Sequence, residues 1–141
     1  MNCENSILIR APLPDIYAAT SDLERWPTVL PHYRWIRVLE RNGSALIVNM
    51  AARHGVLPIR WTSRFEADAG AKELRFHHLK AFTKGMDVKW TYTPTGEGVL
   101  VRISHELNHR FPWFANLLAR YFIHPVATRT LATFKSHLEK P

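Results

Sequence analysis

The sequence predicts an α+β fold in which an antiparallel sheet is covered on one face by a long C-terminal helix. Three features of the 141 residues carry that expectation. Strand-like segments follow one another from Tyr33 to His109 with only short turns between them, which implies an antiparallel meander. After Pro112, the positions Leu117, Tyr121, His124, Ala127, Leu131, Phe134 and Leu138 share one broad helical face and are nearly all apolar. One strand and a short helical section precede the meander, so strands and helices are segregated rather than alternating.

Taken in order, Ser6-Ile7-Leu8-Ile9 forms a short first strand. Ala11-Pro12-Leu13-Pro14-Asp15 breaks it and starts a helix, with Pro14 near the first position and Asp15 in the first turn. That helix continues through Ile16, Tyr17 and Ala19. Thr20-Ser21-Asp22 caps a second short helix, interrupted at Trp26-Pro27, and Pro31 ends the helical section. Strands follow at Tyr33–Arg41, Ala45–Arg53, Val56–Ala67, Lys72–Lys80, Met86–Thr93 and Val99–His109. Asn42-Gly43, Ala69-Gly70, Lys84-Gly85 and Thr95-Gly96-Glu97-Gly98 supply turn chemistry between them. The last helix spans Pro112 to Lys140. Pro125 lacks the N–H that a helix interior requires, so a kink is expected there. It would divide a chamber-facing half, Phe114 to His124, from a core half around Leu131, Phe134 and Leu138.

Period-two alternation separates the sheet faces. Leu57, Ile59, Trp61, Ser63 and Phe65 share one face; so do Leu74, Phe76 and His78, then Met86, Val88, Trp90 and Tyr92, then Val99, Val101, Ile103, His105, Leu107 and His109. This face is rich in aromatics, and the long helix is the element able to cover it. Its polar members, Ser63, His78, Tyr92 and His105, admit two readings. They line an apolar ligand cavity with a few placed polar groups, or they are satisfied within a packed core.

Composition bounds the rest. Hydrophobic residues make up 46% and charged residues 22%, as in ordinary globular proteins. Without repeat or linker, residues 1–141 read as a single domain. No apolar run reaches the length of a membrane span. The first residues lack a signal-peptide plan and Cys3 is the single cysteine, so a reducing, cytoplasmic setting is expected. The formal net charge of +7 points to anionic partners or to solubility alone. On the outer sheet face Arg60, Arg64, Arg75, Lys89 and Arg102 mix with Glu66, Glu73, Asp87 and Glu106. That mixture suits cross-strand pairing rather than a phosphate track, so no nucleic acid is expected. The basic excess falls on the last helix and at Lys80 and Lys84, which flank Phe82 in a loop placed at the cavity mouth. His105 and His109 are roughly 13 Å apart at strand rise, and His77 and His78 point to opposite faces, so no metal site is expected.

Several stretches resemble a known family. Asn5-Ser6-Ile7-Leu8-Ile9-Arg10-Ala11-Pro12, Ser21-Asp22-Leu23-Glu24-Arg25-Trp26-Pro27, Trp61-Thr62-Ser63, Trp90-Thr91-Tyr92 and the stretch Thr130 to Lys135 are similar to the START-like (Bet v 1-like) polyketide cyclase/dehydrase proteins. The likeness extends to the bacterial aromatase/cyclases and covers nearly the whole chain. It implies a helix-grip fold, a seven-stranded antiparallel sheet around a long C-terminal helix with a deep cavity between them. The ligand would be a small hydrophobic or aromatic molecule, polyketide- or lipid-like, with no cofactor.

The site implied by face and resemblance together is Trp26, Tyr33, Trp61, Ser63, Phe65, Phe76, His78, Met86, Val88, Trp90, Tyr92, Ile103, His105, Leu117 and Tyr121. Tyr92 and His105 are candidate proton-transfer groups. Where the cyclases carry an inward arginine this chain has Phe65; an inward tryptophan is replaced by Ile103 and a glutamine by His105. The functional alternatives are a binding module, as a monomer or weak dimer, and an aromatase/cyclase acting on a polyketide delivered by an acidic acyl carrier protein.

Overall fold

The computed structural model describes residues 1–80 and 83–140. Phe82, expected at the cavity mouth, lies outside the described residues. The chain runs β1 (Asn2–Ile9), α1 (Leu13–Ser21), a 3-10 turn (Leu23–Arg25), α2 (Trp26–Val29), β2 (Tyr33–Asn42), β3 (Ala45–His54), β4 (Leu57–Asp68), β5 (Glu73–His78), β6 (Asp87–Pro94) and β7 (Val99–Glu106). It ends in α3 (Pro112–Leu118), a π-helical turn (Ala119–Ile123) and α4 (His124–Leu138). The strands form one antiparallel sheet in the order β1-β7-β6-β5-β4-β3-β2. The expected α+β architecture is therefore the observed one, with the helices gathered on the aromatic face of the sheet.

β1 begins four residues earlier than alternation placed it. Asn2–Asn5 lack an apolar periodicity, yet their backbone pairs with β7 from Asn2↔Glu106 to Asn5↔Ile103. Asn5 is buried, and its amide donates to Thr128 Oγ1 at 2.8 Å and to the His124 carbonyl at 3.2 Å. A satisfied amide thus holds the strand under the helix where an apolar side chain would be the usual signal. Trp26-Pro27 opens α2 rather than interrupting a helix, since proline is tolerated in a first turn. β7 ends at Glu106, leaving His109 outside the sheet, where its Nδ1 accepts the Phe111 N–H at 3.0 Å. Between β3 and β4 the chain reverses over Gly55 and Val56. Gly55 takes φ +64°, a conformation that suits glycine, and Val56 stands at the apex.

The irregularity in the last helix lies in the turn before Pro125. In a regular α-helix Pro125 would leave the Tyr121 carbonyl without a donor and press its ring against that group. The π turn Ala119–Ile123 widens the helix at this point and accommodates one extra residue. Relative to uninterrupted α periodicity, α3 is rotated by about one residue, roughly 100°. Phe114 and Leu118 consequently face the sheet, while Leu117 and Tyr121 face outward, 46% and 51% exposed.

Beneath α4 the core is dry and aromatic. Trp26 packs on Trp90 at 5.6 Å between ring centroids and on Phe134 at 5.8 Å, and Phe65 packs on Phe76 at 4.8 Å. The Trp26 indole N–H donates to the Thr20 carbonyl at 3.1 Å, which fixes the ring as a floor for the space above.

Candidate functional site

Between the sheet and the last helix, above that floor, lies a cavity of about 610 Å³. β4 supplies Leu57, Pro58, Ile59, Arg60 and Trp61; β3 supplies Met50. Phe76 and His78 enter from β5, Val88 and Trp90 from β6, and Ile103 and His105 from β7. Thr83 and Met86 contribute from the loop before β6, and Tyr33 from the start of β2. The roof is Phe114, Leu118, Phe122, Ile123, Val126, Ala127 and Thr130. The chamber therefore continues past Pro125, and its boundary with the dry core falls about one turn later than expected.

Of the residues singled out from the sequence, Trp26, Tyr33, Trp61, Phe76, His78, Met86, Val88, Trp90, Ile103 and His105 line this cavity. Ser63, Phe65 and Tyr92 are buried but lie outside the lining. Phe65 sits behind Phe76, and Ser63 has its hydroxyl buried without a protein partner. Leu117 and Tyr121 are turned away by the π turn. Met50, on the same sheet face, was reachable by extending alternation to β3. Leu57 and Ile59 fall on that face by alternation, whereas the rim residues Pro58 and Arg60 had no such signal, because they depend on how far the hairpin overhangs the opening.

Tyr92 is engaged structurally. The Thr20 hydroxyl donates to the Ile16 carbonyl at 2.9 Å, so the Tyr92 phenol is the donor in its 2.7 Å bond to Thr20. Burial, the larger influence, pushes the phenol pKa up and keeps it protonated.

The polar groups within the cavity are uncharged. His78 has its pKa lowered to about 3, by burial first and then by neighbouring His105 and His77. Its Nδ1 shares a 2.7 Å hydrogen bond with Thr83, and its ring stacks on Trp61 at 6.0 Å with 7° between planes. His105 is lowered to about 4 by burial and by His124; its Nδ1 is buried without a protein partner. What surface His105 retains opens onto the cavity.

At the far side, the Thr130 hydroxyl donates to the Val126 carbonyl at 2.8 Å, so His32 Nε2–H donates to Thr130 at 2.9 Å. His32 is likewise lowered to about 4, by burial and by Arg129. Arg60 is exposed at the rim rather than inside. Among the described residues no group of His, Cys, Asp and Glu converges that could hold a metal ion. The arrangement offers an apolar, aromatic chamber with neutral imidazoles and a few hydroxyls, suited to carbonyl- or hydroxyl-bearing hydrophobic molecules.

Residues 9–139 match the family described as polyketide cyclase/dehydrase and lipid transport. A Streptomyces halstedii protein assigned as a polyketide cyclase is 33% identical over 103 residues, covering 70% of this chain and 94% of that protein. The Zhui aromatase/cyclase from Streptomyces sp. R1128 superposes with a TM-score of 0.86 at 16% identity, over 99% of this chain and 93% of the other. A START superfamily protein from Mycobacterium smegmatis gives 0.78 at 12% identity, over 98% and 97%. At these identities the two structures establish a shared fold and nothing finer.

Proposed function

The chain belongs to the polyketide cyclase/dehydrase and lipid transport family, and we propose that it binds one small hydrophobic or aromatic molecule, polyketide- or lipid-like, in the cavity between sheet and helix. The observation that carries this reading is the cavity itself: about 610 Å³, walled mainly by aromatic and aliphatic side chains, with no carboxylate or ammonium among the described lining residues and Arg60 at the rim. Its volume is in the range of small-molecule sites, and its neutral imidazoles orient a polar group without excluding an apolar body. The proposed setting is cytoplasmic, with the chain a monomer or weak dimer.

Displacement of a naphthalene dye, together with native mass spectrometry, tests this. One apolar equivalent per chain is expected, with competition between dye and polycyclic phenols. Failure to bind any apolar probe would overturn it.

The neutral His105 imidazole in the cavity wall supports a second reading, an aromatase/cyclase that folds and dehydrates a polyketide presented by an acidic acyl carrier protein. In that reaction His105 would exchange a proton at a carbon between carbonyls. A pKa near 4 makes it a weak base, and Phe65 stands where the cyclases place an arginine, so binding is the stronger reading. Turnover of a carrier-bound polyketide that falls in His105→Ala while dye binding persists would move the balance to the enzyme.

A further inference from the structure

The open end of the cavity is rimmed by exposed apolar side chains from two separate parts of the chain. At the β3–β4 hairpin Val56 is 98% exposed and Leu57 48%. Leading into and along the last helix, Phe111, Trp113, Leu117 and Tyr121 are 49%, 68%, 46% and 51% exposed. Trp113, Leu117 and Tyr121 recur every four residues and form one stripe, the face that the π turn rotates outward. The two parts meet at the same opening: Leu57 and Pro58 line it from one side, Leu118 and Phe122 from the other. The His54 and Phe122 rings lie 6.2 Å apart across it. Large apolar groups collected in this way mark a contact surface rather than scattered exposure.

The charge around them has one sign. Arg53 and Arg60 flank the hairpin, and Arg110 and Arg120 flank the stripe. No aspartate or glutamate occurs from Ala45 to Phe65 or from Leu107 to Leu138. The acids that bound these stretches in sequence are Glu40, Glu66, Glu106 and Glu139; Glu66 lies beside Arg64, Glu139 is paired with Lys135, and Glu106 stands opposite Asp87 in the sheet. The Arg110 guanidinium lies 5.8 Å from the Phe111 ring centre, and that of Arg120 lies 5.5 Å from Tyr121.

We propose that this rim docks on an anionic lipid bilayer. Val56 and the Trp113 stripe enter the interface, and the arginines rest at the head-group phosphates. Aromatic rings paired with arginine are the composition of a membrane–water boundary. A second copy of the chain would bring the same positive charge against itself. An acidic protein would satisfy the charge but leaves the hairpin apex, nearly fully exposed and on a separate element, without a matching hollow; a fluid surface closes around each projection independently. Because the cavity opens within this rim, an apolar molecule would pass between bilayer and chamber without crossing water. That last step alone rests on the cavity being the binding site proposed above.

The test is co-sedimentation of the whole chain with sucrose-loaded vesicles of phosphatidylcholine, alone or mixed with phosphatidylglycerol. Binding to the mixed vesicles is expected, with weakening in added salt. Val56→Asp and Trp113→Asp should each reduce it by roughly tenfold. Both positions are exposed and outside the cavity lining, so thermal midpoint and dye affinity without vesicles should stay at the parent values. Loss of dye binding in the parent with vesicle binding intact would sink the cavity reading and leave the docking surface standing. No sedimentation with anionic vesicles, or sedimentation indifferent to both substitutions, would overturn the docking surface. So would a dimer, or a complex with an acidic acyl carrier protein, that dissolves in Trp113→Asp while vesicles are ignored.

Discussion

His32, His78 and His105 are held neutral by burial, with pKa values near 4, 3 and 4 against about 6.5 for an unfolded histidine. Between those values the unfolded chain binds protons that the folded chain refuses. Stability contributed by these residues is therefore complete at neutral pH, falls as the pH drops below about 6.5, and levels off near 4 to 3 once the folded state also protonates. The loss should be on the order of 2 kcal/mol for each histidine, with partial exposure to the cavity reducing it at His105. Urea midpoints measured from pH 7 to pH 4.5 should show this decline, and His78→Gln should make it shallower. An equally steep decline in that variant would place the acid sensitivity elsewhere. At this scale the sequence was informative where identity and alternation agreed: Trp61, Phe76, Trp90 and Ile103 stand where period two places them. It was silent on hydroxyl partners. Tyr92 shares that face, but whether its phenol reaches a ligand or Thr20 depends on α1, which periodicity in β6 does not describe.

β4 to β7 were legible because they alternate against a solvated outer face. β1 was half legible, since Asn2–Asn5 are held by backbone pairing and the Asn5 amide bonds rather than by apolar burial. The long helix was legible in extent but not in register. A reading at 3.6 residues per turn places Leu117 and Tyr121 inward, and the single extra residue of the π turn reverses that. Pro125 was the visible sign of an irregularity, but not of how the chain would absorb it. Deleting Arg120 together with Pro125→Ala should restore an uninterrupted α-helix, keep Leu118 and Ile123 over the cavity, and leave dye affinity within about twofold. Deleting Arg120 alone forces Pro125 into an α register and should cost about 3 kcal/mol in urea unfolding. Equal stability of the two variants would show that the π turn has another origin.

At the level of the whole molecule, the order of elements and the covered face were readable from one sequence because a meander has few alternative topologies. The choice between carrier and catalyst was not, since the same sheet and helix host both, and the difference lies in a handful of inward groups. Pairing of the first strand with the last has a consequence in time rather than in space. The Met1 amino group donates to the Leu107 carbonyl, 106 residues on, and β1 closes against β7. β2 to β7 join neighbour to neighbour and need only short loops, whereas β1 must wait for a partner synthesised about a hundred residues later. Folding should then proceed in two stages, a meander that zips locally and a final clasp by the N-terminal strand. Pulse-labelled amide exchange should show Val88–Tyr92 protected before Ser6–Ile9, and simultaneous protection would mean that the first and last strands meet in the nucleus itself.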